Sequence, residues 1–296
     1  MGVECQPTRF TVKIFGEGLT EWYYLDKLRS KKIFSFTLDP GLPVKSRSSY
    51  KKRLLLIDKE LDKHEQERAD LLILITDLDN IVIDPAQLRE YLADKARYEA
   101  RGVVFIESHP SIELWFLYHF MPRFEKTAYF TCEETILPLR KFLPGYEKSK
   151  AYYSGNTRFR DTIIESYPHR IGAAACAHSS CRYPATAGEI SNFTNLHRLI
   201  LFLHMLQIYY VFSDILHSKI HKAFVLNLET KGIDSLSISL DGNHLLLLKS
   251  DRNQIMCYSD NAPVEIPLEF KYSECSRDLK TVIDSLEQTI RQILGE

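Results

Sequence analysis

The sequence predicts an α/β protein: a parallel sheet flanked by helices, followed by a helical insert and a small C-terminal β-hairpin and helix extension. Three observations carry this. Residues 71–76 (LLILIT) and 103–107 (VVFIE) are short, apolar and strand-length, as strands covered by helices on both faces are. Helical spacing separates such runs, so the first half reads β-α-(α)-β-α-β-α, an order that favours a parallel sheet. Acidic residues fall just past the predicted strand ends, where ligands bind in open α/β sheets.

The elements follow in order. Residues 9–16 (RFTVKIFG) alternate and then run apolar, a strand entering a core. Trp22, Leu25 and Leu28 have helical spacing, and Thr20 stands where an N-cap would help. Residues 45–53 (KSRSSYKKR) are a basic loop or helix start, and 54–68 a charged amphipathic helix. Residues 85–100 read as a helix with Pro85 in its first turn. Residues 111–120 form a core helix, 125–190 helices and loops, and 196–217 a long apolar helix. Beyond residue 222 short antiparallel strands are expected, with the Asp-Gly-Asn triplet at 241–243 as a hairpin turn. Residues 273–296 end in an amphipathic helix.

Composition narrows the function classes. The 296 residues carry a net charge of −1 and 26% charged residues, so any nucleic-acid surface must be local. No secretion signal is apparent, no run is expected to span a membrane, and a cytoplasmic location is expected. The six cysteines are scattered and read as free thiols. Cys176, His178 and Cys181 could be half a zinc site, but no second pair completes it, and small residues on a helix and loop explain them as well.

The chemistry concentrates in two stretches. In LLILITDLDN, Asp77 and Asp79 follow an apolar strand. On an extended backbone they point the same way, and neighbouring carboxylates repel unless a cation such as Mg²⁺ joins them. A capping Asp followed by a turn Asp is the alternative. In VKIFGEGLTE, Glu17 stands between Gly16 and Gly18, with Glu21 one helical turn on. The glycines allow a tight turn and a close ligand, and both carboxylates can reach the same side. Glu21 could equally be a favourable charge at a helix N-terminus.

E-G-x-T-E after one strand and D-x-D after another, sixty residues on, resembles a Toprim catalytic domain. SHPSIELWFLYHF (108–120), GYEKSK (145–150) and PATAGEISNFTNLHRLI (184–200) are similar to blocks of RloB-like proteins, relatives of OLD-like nucleases. The resemblance implies a domain over 1–200, with a Toprim-like core at about 8–122 and a helical and loop portion at about 123–200. Residues 201–296 would be a linking helix and an accessory region. It implies that Glu17, Asp77 and Asp79 hold Mg²⁺ or Mn²⁺ and carry catalysis, with Glu21 helping a second metal. Glu113, Lys148 and His119 match later blocks: Lys148 would stabilise charge on the phosphate, and His119 would carry protons or pack the helix. Ser108 and His109 would face the same edge.

The implied activity is metal-dependent hydrolysis of DNA or RNA in prokaryotic anti-phage defence, with an ATPase partner. Topoisomerase and primase activities lack a second cleavage domain and a zinc ribbon. A phosphatase or nucleotide-sugar transferase would not explain GEGLTE. A non-cutting sensor module remains the alternative. Nucleic acid would be gripped by Lys45, Arg47, Lys51, Lys52 and Arg53, and by Lys148, Lys150, Arg158 and Arg160, with Tyr152, Tyr153 and Phe159 as a stacking surface. A homodimer through the C-terminal region is expected if Leu245, Leu247 and Ile255 bury against a second chain.

Overall fold

The computed structural model describes residues 10–30, 34, 36–39, 49–126, 128–181, 192–230, 232–251, 254–259, 263–267 and 276–296. Lys45, Arg47 and residues 184–191 of the closing block lie outside them. The chain divides into two units, Thr11–His197 and a second made of Met1–Phe10 with Arg198–Glu296.

The first unit is α/β. Its elements are β1 (Val12–Gly16), α1 (Leu19–Ser30), β2 (Thr37–Asp39), α2 (Tyr50–Leu61), β3 (Leu71–Asp77), α3 (Pro85–Glu99), β4 (Val103–His109) and α4 (Glu113–Tyr118). There follow α5 (Cys132–Phe142), α6 (Lys150–Gly155), α7 (Thr157–Phe159), a π-helical turn at Arg160–Glu165, α8 (Tyr167–Ser180) and β5 (Phe193–Thr194). The sheet order is β2-β1-β3-β4-β5, parallel except for the last pair. Alternation along the strands sorts the core. Phe15, Leu72, Leu74, Val103 and Phe105 meet Tyr50, Leu54 and Ile57 of α2 and Tyr91 and Tyr98 of α3. Ile14, Ile73, Ile75 and Ile106, which point the other way, are equally buried. Both faces are covered, which is why β3 and β4 read as continuous apolar runs.

The chain order places a functional edge. From β1 the chain crosses to β2 on one side, then to β3 on the other. The strand order therefore reverses between β1 and β3, and a crevice opens there at the carboxyl ends. Glu17 follows β1, and Asp77 ends β3.

Several local readings change. Strand β2 carries no clear apolar run, because an edge strand of three residues needs none. Helix α2 starts at Tyr50, earlier than its charge pattern suggested. Its buried stripe is Tyr50, Arg53, Leu54, Ile57 and Glu60, and the polar members of that stripe hid the start. Thr20 is the second residue of α1 rather than its cap.

The second unit holds most of α9 (Leu196–Lys219), then β6 (Asn227–Thr230), β7 (Ser235–Leu240), β8 (Asn243–Asp251), β9 (Gln254–Tyr258), β10 (Val264–Ile266) and α10 (Arg277–Leu294). Its strands form an antiparallel meander, β10-β9-β8-β7-β6, larger than a hairpin. Asp241 and Gly242 turn β7 into β8 with φ of 48° and 79°, as a two-residue hairpin with both central φ positive demands. Of the residues expected to meet a second chain, Leu245 and Ile255 are buried within the chain itself and Leu247 is partly exposed. Helix α10 is capped by the Ser276 hydroxyl accepting from the Leu279 amide, and it buries Leu279, Val282, Ile283, Leu286 and Ile290. Helix α9 is long and apolar enough to cross a membrane by length and composition alone, and 67% of its most apolar stretch is buried in the structure, as in a core helix.

Candidate metal-binding acidic edge

The Glu17 turn is built for its carboxylate. Thr76 Oγ1 donates to Glu17 Oε2 at 2.5 Å, tying the end of β1 to the end of β3. Burial first, then the charges of Glu21 and Asp79, push the Glu17 carboxyl up to about 7 despite that bond. Gly18 makes room for the Glu21 carboxylate: a Cβ at position 18 would lie 2.6 Å from Glu21 Oε2. Glu21 is 3% exposed, and its Oε2 has no hydrogen-bond partner. Burial and Glu113 raise its pKa against the pull of Lys148.

Asp77 and Asp79 are not on one extended face, because β3 ends at Asp77 and a turn follows. The end of β4 and the segment after it hold this turn: the Leu78 amide donates to Ser108 O at 2.9 Å and the Asp79 amide to Pro110 O at 3.1 Å. Asp77 Oδ1 accepts from the Ile112 amide at 2.9 Å, so it also supports the start of α4. Asp79 Oδ1 accepts from the backbone and side-chain nitrogens of Asn80. Both carboxyls are raised, first by burial. Glu21, Glu113 and Glu17 add to the effect at Asp77, and Glu113 and Glu133 at Asp79.

Glu113 is the most completely satisfied acid of the group and is fully buried. Oε1 accepts from Tyr146 OH at 2.9 Å and Thr20 Oγ1 at 3.3 Å; Oε2 accepts from Ser111 Oγ at 2.7 Å and Cys132 Sγ at 3.3 Å. Lys148 Nζ reaches Oε1 at 3.0 Å from a side chain that is 40% exposed. Burial works to raise the Glu113 pKa, but Lys148 and these donors outweigh it and hold it below the usual range. For Lys148, burial works downward, and Glu113, Cys132 and Asp77 outweigh it and raise the ammonium's pKa. With its oxygens engaged in this way, Glu113 is placed to hold Lys148 rather than to react.

Other expected site residues lie elsewhere. His119 is in the core, its Nδ1 2.9 Å from Trp115 O and its ring edge-on to Trp115. Burial, with Arg170 adding to it, lowers its pKa to about 3, which suits the packing role of the two expected. Ser108 Oγ pairs with Thr194 Oγ1 at 2.8 Å, and His109 is buried. The closing block seals β4: Asn195 Oδ1 accepts from the Glu107 amide at 2.7 Å.

Of the described basic residues expected to grip nucleic acid, Arg53 is buried and the others are exposed. Lys51 pairs with Glu90, Lys52 is exposed, and Arg53 is buried. Lys150 is exposed, Arg158 lies over the Phe120 ring, and Arg160 pairs with Asp161. Tyr152, Tyr153 and Phe159 are core residues, so they offer no stacking surface. Sequence reasoning missed Thr76, Tyr146, Ser111 and Cys132. Thr76 had a signal, as the polar residue closing an apolar run one place before Asp77.

The donor set suits a hard divalent cation: carboxylates whose pKa values are raised by burial and nearby acids, and the buried, unpartnered Glu21 Oε2. Among the described residues, however, no three His, Cys, Asp or Glu side chains converge into a ready coordination sphere. Binding would have to draw them together.

The family model for RloB-like proteins matches residues 12–203, about two thirds of the chain. The chain belongs to the RloB-like family. The match spans Glu17, the Asp77–Asp79 turn, Glu113 and Lys148, all in the α/β unit, and ends inside α9. No curated protein and no solved structure matches the chain.

Proposed function

We propose that this RloB-like protein is a divalent-cation-dependent nuclease that hydrolyses phosphodiester bonds of DNA or RNA through a Toprim-like acidic edge. The carrying observation is that Glu17, Glu21, Asp77 and Asp79 lie near the strand-order reversal, within electrostatic reach of neighbouring acids, with Glu21 Oε2 buried and unpartnered. Four acids pushed toward protonation by burial and by neighbouring carboxylates, Glu113 among them, are a poor resting state and a good cation site. Mg²⁺ or Mn²⁺ held there supplies polarisation of the phosphoryl group and a more acidic water.

The chain's own residues do the rest. Thr76 orients Glu17, and the amides of Leu78 and Asp79 fix the turn that presents Asp77 and Asp79. Glu113 holds Lys148 so that its ammonium stands near Glu21, Asp77 and Asp79, where it can meet a phosphate oxygen. The anti-phage role and the ATPase partner are carried over from the family resemblance.

One observation favours a second reading. The carboxylates stand near one another without converging, as in a module that senses a nucleotide or nucleic acid without cutting.

The deciding experiment is a nuclease assay on plasmid DNA, single-stranded DNA and tRNA with Mg²⁺, Mn²⁺ or EDTA. Cutting that needs metal and is lost in Asp77→Ala and Glu17→Ala supports the nuclease. Nucleic-acid binding without cutting in any metal supports the sensor.

A further inference from the structure

The sequence puts Arg53 in an exposed basic run beside Lys51 and Lys52. The structure separates it from them. Lys51 and Lys52 face outward, whereas Arg53 lies in the buried stripe of α2 between Tyr50 and Ile57 and is 7% exposed. A guanidinium in an apolar stripe is costly unless its surroundings compensate. Here Nη2 donates to the Glu17 carbonyl oxygen at 3.3 Å, and the carboxylates of Glu17, Asp39 and Glu21 act on the charge.

That carbonyl belongs to the one residue between Gly16 and Gly18. Glycines bring the most backbone freedom, so the backbone of this turn gains from an anchor in addition to the Thr76 bond to the Glu17 carboxylate. We propose that Arg53 is a positioning residue for the acidic edge, clamping the Glu17 turn through its carbonyl. The inference rests on the cation-site reading of that edge. Arg53 and Lys148 then divide the acids: Arg53 acts on Glu17, Asp39 and Glu21, and Lys148 on Glu21, Asp77 and Asp79.

Positioning and simple countercharge predict opposite results. Removing a countercharge beside a cation site relieves repulsion, so divalent-cation affinity rises. Removing a clamp lets Glu17 wander, so affinity falls. Residues that orient ligands typically change metal affinity by about 10–100-fold when lost. The test is Mn²⁺ binding to the full chain, read by electron paramagnetic resonance, with no turnover involved. Arg53→Met is expected to weaken binding about tenfold. Arg53→Lys is also expected to weaken it, because it keeps the charge but its shorter, flexible ammonium does not hold the Nη2 donor position on the Glu17 carbonyl. Urea unfolding, followed in parallel, should show both variants folded, since methionine fills a buried site without a desolvation cost. If Arg53→Met fails to fold, Arg53→Lys carries the test. Unchanged or tighter Mn²⁺ binding in a folded variant, with the wild type binding, overturns the positioning role alone. Absence of Mn²⁺ binding in the wild type overturns the cation site and this role together.

Discussion

The Glu113–Lys148 pair permits the sharpest test. Glu113→Gln keeps the volume but removes the charge facing Lys148 Nζ at 3.0 Å. Its amide nitrogen would also have to face donors, because Tyr146, Thr20, Ser111, Cys132 and Lys148 all point at the carboxylate. Breaking a buried pair from one side costs about 3–5 kcal/mol. The Lys148 side chain is 40% exposed and recovers some water, so about 2–3 kcal/mol is the expected loss. Lys148→Met should cost less than this alone, because Glu113 retains its hydroxyl donors. The double variant should recover much of the loss, with a coupling of about 1–2 kcal/mol. Urea unfolding followed by tryptophan fluorescence measures it, because both tryptophans, Trp22 and Trp115, lie in the α/β unit. A coupling below about 0.3 kcal/mol, the range of independent sites, would refute the claim that Glu113 holds Lys148.

The remaining predictions use other parts of the edge. Glu17 gains its proton at about 7 in the fold against 4.5 ordinarily, so between those values the folded state holds the extra proton. Stability in EDTA should therefore fall as pH rises from 5 to 8, by up to about 3 kcal/mol from this group, and Glu17→Gln should flatten the slope. A slope unchanged in Glu17→Gln would show that the carboxyl is not buried as described. Gly18→Ala should leave the fold intact, since the clash is with the end of the Glu21 side chain, but weaken Mn²⁺ binding; in a Glu21→Gln background it should add little. An equal effect in both backgrounds would dissociate Gly18 from Glu21. His119→Leu should lower the melting temperature while the pH profile of any cutting activity stays fixed, and a lost acid or alkaline limb would return His119 to the chemistry.

Much of the site was legible because its signals are local. The apolar runs of β3 and β4 announce a sheet covered on both faces, and acids after strand ends announce the edge. Glu17 stood out because a turn between two glycines has no structural need of a carboxylate. Other residues were illegible because their meaning depends on partners distant in the chain. Glu113 and Lys148 are 35 positions apart, and nothing nearby shows that one holds the other. Arg53 matches its basic neighbours in sequence and departs from them only through the face of α2 on which it falls. Tyr152, Tyr153 and Phe159 resemble a stacking surface until packing buries them.

The sequence by itself determined the strand and helix alternation, the acids at the strand ends and the family, because each rests on periodicity or short spacing. Only the tertiary structure decided that the strand order reverses between β1 and β3 and that Thr76 fastens Glu17. It alone turned His119 inward and Arg53 toward the acids. Burial and charge pairing are properties of residues brought together from far along the chain, and no local pattern encodes them.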